Sequence, residues 1–228
     1  MSKSTALVLF DIDGTLLRGA GQHHKQALID GIERVTGRAT HLDGISTSGM
    51  LDRDLIAAML EAAGHEQEQI REAMRAIVEE CQNAYCASCT LDLTQMVCPG
   101  VPGLLSELRR RGAVLGLVTG NLSRIARRKM ELAGLRDYFS IGAFAEDADT
   151  RTELARVAAG RARESGLVSD KCRTSLIGDH PNDVRAAKAN GFQAIAVATG
   201  LISRDELAAA GPDILVATLE ELDMERLF

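Results

Sequence analysis

Two aspartates near the start of the sequence have the type and spacing needed for nucleophilic or acid–base chemistry. Asp11 and Asp13 are two residues apart in the run Asp-Ile-Asp-Gly-Thr, directly after a short apolar stretch. Side chains two apart in extended backbone point the same way, and Gly14 allows a tight turn whose amides face an anion. Such a pair either binds a hard cation or divides the work of nucleophile and acid–base group. A plain Asp-Gly turn in which Thr15 caps a helix is the alternative.

A second acidic pair occurs in the run Gly-Asp-His-Pro-Asn-Asp, where Asp179 and Asp183 are four residues apart. Pro181 suits the first turn of a helix, and the helix dipole alone would favour an acidic residue at Asp183. Four carboxylates at one edge of a sheet would repel one another, and a bound divalent cation relieves that repulsion. Oxygen ligands favour Mg²⁺ over zinc. The sequence therefore predicts a Mg²⁺ site formed by Asp11, Asp13, Asp179 and Asp183.

A third polar group, Thr119, Gly120 and Asn121, follows another apolar stretch. A hydroxyl, a flexible glycine and a side-chain amide offer neutral hydrogen-bond donors to phosphate oxygens. The same residue types also occur in ordinary strand-to-helix turns. These three residues are therefore candidate substrate-binding groups, but only in combination with the acidic pairs do they indicate a phosphate site.

Short apolar runs precede each of these polar groups and predict the strands that position them. The predicted strands are 6–10, 113–118, 174–177 and 193–198, and helical patterns lie at 102–111, 123–132, 152–162 and 182–190. Strands alternating with helices predict an α/β fold with a parallel sheet covered on both faces. Ligands bind beyond the carboxyl ends of such strands, where the polar groups fall.

One long stretch, residues 21–97, contains no apolar strand run. Its helical patterns lie at 23–35, 51–62 and 66–85. This is too much chain for one crossover between parallel strands, so it predicts a separate helical insertion at 17–97. The catalytic core is then formed by 1–16 and 98–228, and the prolines and glycine of 98–102 suit a hinge.

The composition is that of an ordinary globular protein. The 228 residues are 46% hydrophobic and 25% charged, with a formal net charge of −6 that argues against non-specific nucleic-acid binding. We see no secretory signal and no apolar run long enough to span a membrane, which predicts a cytoplasmic location without membrane or nucleic-acid partners. The oligomeric state is left open.

Four of the five cysteines lie close together in the sequence, and small buried residues are favoured over a zinc-binding or redox-active set. That cluster consists of Cys81, Cys86, Cys89 and Cys98.

Taken in order along the chain, these motifs resemble those of the haloacid dehalogenase superfamily. The type is the one with a class I helical cap, as in phosphoglycolate phosphatases and β-phosphoglucomutases. The resemblance rests on both acidic pairs and the Thr119 run, and it extends from the first to the last predicted strand. It implies a Rossmann-like core with an inserted all-helical cap.

The resemblance also implies a role for each matching residue. Asp11 would attack phosphorus and form an aspartyl-phosphate, while Asp13 would protonate the leaving oxygen and then activate water. Thr119 would hold the transferring phosphoryl group, helped by backbone amides near Gly14 and Gly120. The Mg²⁺ ligands would be Asp11, the carbonyl of Asp13 and Asp179, with Asp183 as a ligand or close support.

The chain departs from the family pattern at one motif. Relatives often carry Lys-Pro before the third core helix, but no lysine lies between Met130 and Asp170. Arg151, at a predicted helix start, is the best substitute, because a guanidinium would also neutralise the aspartate–phosphate pair. Arg156 is the rival, although its place inside the helix favours a solvated position.

The resemblance to a class I cap implies that the helical insertion contacts the leaving group and excludes water. Arg53 is a candidate for binding a second anionic group of the substrate; alternatively, Asp52 caps the helix and Arg53 is solvated. His23 and His24 are expected at the surface.

Asp13 favours phosphate esters over halides, because a halide leaves without a proton. Mg²⁺-dependent hydrolysis of a small phosphomonoester is therefore the predicted reaction. A phosphomutase of the β-phosphoglucomutase type and a catalytically weak binding or regulatory relative are the alternatives.

Overall fold

The computed structural model describes residues 4–228, apart from the side chain of Thr5. The first three residues of the predicted core segment 1–16 lie outside that range. Six parallel strands form one sheet in the order β3-β2-β1-β4-β5-β6. The strands are β1 (Ser4–Phe10), β2 (Val114–Val118), β3 (Ile141–Ala143), β4 (Val168–Gly178), β5 (Gln193–Val197) and β6 (Ile214–Val216).

Eight α-helices surround or adjoin this sheet in the described range. They are α1 (Gly21–Thr36), α2 (Asp52–Ala62), α3 (Gln67–Ser88), α4 (Val101–Arg110), α5 (Ser123–Leu132), α6 (Arg151–Glu164), α7 (Pro181–Ala189) and α8 (Arg204–Ala209). The predicted α/β class is confirmed. Every predicted strand and helix is present with small shifts in its bounds, except that β4 begins six residues before the predicted start at 174. The edge strands β3 and β6 were not predicted, because three residues are too few to show a pattern.

The central position of β1 brings the catalytic candidates to one edge of the sheet. Its residues from Ala6 to Phe10 are fully buried. In the register of the sheet, Phe10 lies beside Leu117 of β2 and Ile177 of β4. The chain therefore leaves three neighbouring strands at nearly the same level, so the residues that follow them lie side by side.

The helical insertion leaves and rejoins the core through two paired chain segments. The backbone N–H of Arg18 donates to the carbonyl of Met96 at 2.8 Å, and that of Cys98 donates to Leu16 at 2.9 Å. Helix α1 packs mainly on α3. Most buried apolar side chains of the insertion join one face of the sheet in a single cluster, and the division into two domains stays a prediction.

The chain at the start of α2 is hydrogen-bonded to the core at the edge of the sheet where the strands end. The backbone N–H of Asp52 donates to the carbonyl of Gly120 at 2.8 Å, and the side-chain amide of Asn182 donates to that of Gly49 at 2.9 Å. A Cβ on Gly120 would collide with the carbonyl of Met50. The close approach of the insertion thus requires glycine at position 120.

Cys81, Cys89 and Cys98 are buried and all five thiols are free, as small buried residues would be. Within 4–228, the only group of metal-ligand side chains is formed by aspartates. None of the helices described has the length and apolar character needed to cross a membrane. The cytoplasmic location stays a prediction.

Candidate active site

A cavity of about 580 Å³ lies at the carboxyl ends of the central strands, between the core and the helical insertion. Its wall contains most of the predicted site residues together with side chains of α1 and α2. From the core these are Asp11, Asp13, Gly14, Gly120, Asn121, Arg151 and Asp179. The sheet register therefore gathers residues from both acidic pairs at one opening.

Three buried aspartates form a cluster at this edge. One carboxylate oxygen each from Asp11, Asp179 and Asp183 lies within 4.8 Å of the others. Burial and the neighbouring carboxylates raise the pKa of Asp11 to about 6, against the opposing charge of Arg151. Burial and the charges of Asp11 and Asp183 raise the pKa of Asp179 to about 8. This pattern shows an excess of negative charge in a poorly solvated place.

The cluster fits a hard divalent cation. All its donors are carboxylate oxygens, and Oδ1 of Asp183 is buried without a hydrogen-bond partner in the described part of the chain. A buried orphan oxygen is costly unless something compensates it. The carboxylate of Asp13 lies outside this cluster, so only its backbone carbonyl remains as the predicted metal contact.

Small residues make room for Asp179. A Cβ at Gly14 or at Gly200 would collide with its carboxylate, and Gly14 also has a φ of 94°. The hydroxyl of Thr15 donates to Oδ1 of Asp179 at 3.1 Å, so Thr15 serves the acidic cluster. The glycine of the first motif is therefore required for both conformation and space.

Arg151 contacts the predicted nucleophile. It is the first residue of α6, whose N-cap Thr150 accepts the N–H of Glu153. Its Nη1 donates to Oδ1 of Asp11 at 2.7 Å and to the carbonyl of Val118 at 3.0 Å. Its Nε lies 3.4 Å from Oδ1 of Asp183. Burial opposes the charge, but the two aspartates raise the pKa of Arg151 above its usual range. The rival Arg156 is exposed.

Asp13 has different surroundings from Asp11. Both of its carboxylate oxygens accept from Nζ of Lys129, at 2.8 and 2.7 Å, and Oδ2 also accepts from the amide of Asn121 at 2.7 Å. Burial alone would raise the pKa of Asp13, but the charge and hydrogen bond of Lys129 outweigh it and lower that pKa. Asp13 is thus held as a carboxylate at the cavity wall.

Lys129 is the main residue that sequence reasoning missed. It lies on α5 and is fully buried, although α5 also carries exposed basic residues. Its position on the buried stripe with Ile125, Ala126 and Met130 was a usable signal.

His24 and Asp52 continue this polar network into the helical insertion. Nδ1 of His24 lies 3.1 Å from Nζ of Lys129, and its Nε2 lies 2.8 Å from Oδ2 of Asp52. The same oxygen accepts the N–H of Leu122, at the start of α5, at 2.7 Å. The expectation of an exposed His24 is therefore wrong, and Asp52 caps α5 rather than its own helix.

The Thr119 run differs from expectation in detail. Thr119 is fully buried and its hydroxyl accepts from the backbone and side-chain nitrogens of Asn121. It is not part of the cavity wall, whereas Gly120 is. The side-chain amide of Asn121 donates to Asp13 and to Thr119, and its oxygen accepts from Lys129, so it does not present free donors to phosphate.

Arg53 does not reach the cavity. Its Nη1 lies 3.4 Å from Oδ1 of Asp149, and both side chains are exposed. The acidic residue before α6 attracts the guanidinium away from the opening, which corrects the predicted substrate contact. Arg18 and Lys25 line the mouth instead. His180 also lines the cavity, and its Nδ1 caps α7 by accepting from Asn182.

A family model described as haloacid dehalogenase-like hydrolase matches residues 5–191. The chain belongs to this family. The matched region includes both acidic pairs, the Thr119 run and Arg151. The predicted family and the prediction of an enzyme are thereby confirmed.

Individual proteins extend the comparison. A probable phosphatase, IndB, of Dickeya dadantii is 27% identical over 219 residues, covering 95% of this chain and 91% of that protein. A phosphoglycolate phosphatase of Synechococcus elongatus is 33% identical over 125 residues, covering 54% and 56%. A β-phosphoglucomutase structure from Clostridium difficile has a TM-score of 0.71 at 19% identity and covers 98% and 95%. The last likeness shows the shared fold.

Proposed function

We propose that this chain is a Mg²⁺-dependent phosphatase that hydrolyses small phosphomonoesters through an aspartyl-phosphate on Asp11. The observation that carries the proposal is the contrast between two carboxylates at one opening. Asp11 contacts Arg151 and the acidic cluster, whereas Asp13 contacts Lys129 and Asn121. The phosphatase names of relatives support the same reaction class.

In the first half-reaction, an oxygen of Asp11 attacks phosphorus and the bond to the leaving oxygen breaks. Asp13 passes to that oxygen the proton that it took from water in the preceding turnover, and the oxygen departs as an alcohol. Arg151 donates to Asp11 and so lies where negative charge gathers on the nucleophile and the phosphoryl group. Phosphoryl transfer depends mainly on such charge stabilisation and on in-line positioning.

In the second half-reaction, water attacks the aspartyl-phosphate. Asp13 takes a proton from this water, phosphate leaves, and the carboxylate of Asp11 is restored. Asp13 is ionised at this point, because it has given its proton to the leaving oxygen. Asp13 therefore alternates between acid and base, while Asp11 alternates between free and phosphorylated forms.

Asp11, Asp179 and Asp183 would hold Mg²⁺ together with the carbonyl of Asp13. When bound, the ion would neutralise charge on the phosphoryl oxygens and relieve the repulsion between the carboxylates. The cavity is larger than a phosphoryl group needs and continues along apolar residues of the insertion. These include Leu17, Leu28, Leu42, Met50 and Leu55. The leaving group is expected to occupy that part.

A phosphomutase of the β-phosphoglucomutase type is the second candidate. The close packing of the chain before α2 on Gly120 favours it, because a mutase must protect its phosphorylated aspartate from water. The two functions are distinguished by their products: a phosphatase releases inorganic phosphate, whereas a mutase interconverts isomers of a sugar phosphate.

The test is phosphate release from a panel of phosphomonoesters, with Mg²⁺ and with EDTA. We expect metal-dependent release that vanishes in Asp11→Asn, because an amide cannot attack phosphorus. The exposed Asp170→Asn is the matched control and should keep full activity. Isomer interconversion without phosphate release would establish the mutase instead. No turnover of any ester, with the protein folded, would favour a binding or regulatory relative.

A further inference from the structure

Lys129 is a buried cation that the proposed reaction does not use. Its side chain has no exposed surface, yet it carries an ammonium group on the wall side of α5. A charge in such a place persists only when it is paired and fully hydrogen-bonded. The hydrogen-bond partners of Lys129 therefore indicate its role.

All three N–H groups of Lys129 have partners. Nζ lies 2.7 and 2.8 Å from the two oxygens of Asp13, 2.6 Å from Oδ1 of Asn121 and 3.1 Å from Nδ1 of His24. No donor remains to bind a substrate. Lys129 must therefore act through the residues it contacts, and Asp13 is the one among them to which the proposed function gives an acid–base role.

The contact with His24 fixes how the lysine itself is held. An ammonium can only donate, so Nδ1 of His24 accepts and its proton lies on Nε2. Nε2 then donates to Asp52, whose carboxylate also accepts the backbone N–H of Leu122. Lys129 is thus fixed between the core and two helices of the insertion.

We propose that Lys129 is the positioning residue of Asp13, and that His24 and Asp52 hold Lys129 in place for this task. With Asn121 it grips both oxygens of Asp13 and fixes the direction in which the acid–base group faces the leaving oxygen and the water. This inference rests on the proposed function. It differs from the role of Arg151, which contacts the nucleophile.

Loss of the grip should affect turnover more than binding. Asp13 would keep its carboxyl group in Lys129→Met but would sample other rotamers, so kcat should fall while KM stays within about twofold. Misplacement of a reacting group by about 1 Å can reduce the rate by about 10²-fold. We therefore expect a loss of about 10- to 100-fold in kcat with an alkyl phosphate ester.

The deciding experiment is a double-mutant cycle on steady-state phosphate release. It compares wild type, Lys129→Met, Asp13→Asn and the double variant. If Lys129 acts through Asp13, its substitution should change kcat less than about twofold in the Asp13→Asn background, because residues that share one task are not additive. The exposed Lys188→Met, also on a helix, is the control and should keep wild-type kcat.

A second readout separates positioning from a general loss of structure. Release of p-nitrophenolate needs no proton, so the pre-steady-state burst of Lys129→Met with p-nitrophenyl phosphate should keep its amplitude. Lys129→Gln keeps a hydrogen-bond donor for Asp13 and replaces Lys129→Met in the experiment if the methionine variant does not fold. Its kcat should lie between the values of wild type and the methionine variant.

The failures are distinguishable. The positioning role would be overturned if wild type is active and Lys129→Met lowers kcat by the same factor in the wild-type and Asp13→Asn backgrounds. It would also be overturned if Lys129→Met changes only KM. Both results would leave the proposed phosphatase activity intact. An unchanged kcat in Lys129→Met would likewise overturn the positioning role and leave that activity intact. A wild type that releases no phosphate from any ester would overturn both.

Discussion

Asp11 and Asp13 are the same residue type at the same strand end, yet their environments are opposite. Asp11 lies with Asp179 and Asp183, and its pKa is raised; Asp13 lies with Lys129, and its pKa is lowered. One environment gathers negative charge, as a cation site would. The other neutralises negative charge and fixes orientation. In the proposed mechanism, partners more than residue type assign the roles of nucleophile and acid–base group.

The largest expected difference separates the two aspartates themselves. Asp11→Asn should abolish both the burst and the turnover of p-nitrophenyl phosphate, since no nucleophile remains. Asp13→Asn should keep a burst of one product per site and then turn over slowly, because only the second half-reaction requires its base. Stopped-flow absorbance measures both. Equal behaviour of the two variants would contradict the division of roles.

Arg151→Ala should lower kcat/KM by about 10²- to 10³-fold, because a charge-stabilising donor at the nucleophile is lost. Steady-state kinetics with the best ester of the panel measures this loss. Arg156→Ala, five residues along the same helix and exposed, is the control and should stay within about twofold. Similar losses in both variants would remove Arg151 from the lysine position of the family.

The metal-free protein should become less stable as the pH rises from 6 to 8. The raised pKa values of Asp11 and Asp179 mean that the folded state holds more protons than the unfolded state in this range. Stability must then fall with pH. In EDTA, we expect Tm to drop by a few degrees, since about 1 kcal/mol corresponds to about 2–4 °C at this size.

Mg²⁺ should reduce that drop, because the ion replaces the protons. Asp179→Asn should flatten the same curve, since it removes one of the interacting charges. A Tm in EDTA that rises or stays constant between pH 6 and 8 would show that the cluster is not under electrostatic strain.

Arg53→Ala is expected to have the smallest effect. Its exposed pair with Asp149 is 3.4 Å long, and exposed pairs contribute about 0–1 kcal/mol to the free energy of unfolding. Turnover of every ester should stay within about twofold of wild type in the same panel. A selective loss with a doubly anionic substrate would restore the predicted substrate contact.

The sequence alone predicted the part of the site that depends on strand ends. Asp11 and Asp179 follow apolar runs whose buried character is local, and parallel pairing then brings them together. Arg151 was predictable in the same way, because Thr150 marks the start of its helix. Such positions need only the periodicity of the chain and the rule for ligand sites in parallel sheets.

The rest of the site depends on packing between distant segments. His24 and Lys129 are 105 residues apart, and their contact exists only in the folded chain, where α3 packs against both α1 and α5. The predicted position of Arg53 was wrong because Asp149, the residue that it contacts, lies 96 residues away in the sequence. The position of Lys129 on the apolar face of α5 was visible in the sequence as an exception to the helical pattern. Its contacts with Asp13 and His24 were not visible there.

The most direct test of the account is to find the phosphoryl group on the chain during turnover. Wild type is mixed with the best ester and Mg²⁺, quenched in acid and digested, and its peptides are weighed by mass spectrometry. We predict one added phosphoryl group on the peptide that contains Asp11 and none in Asp11→Asn. Phosphate release without any labelled peptide, or a label on another residue, would contradict the proposed nucleophile.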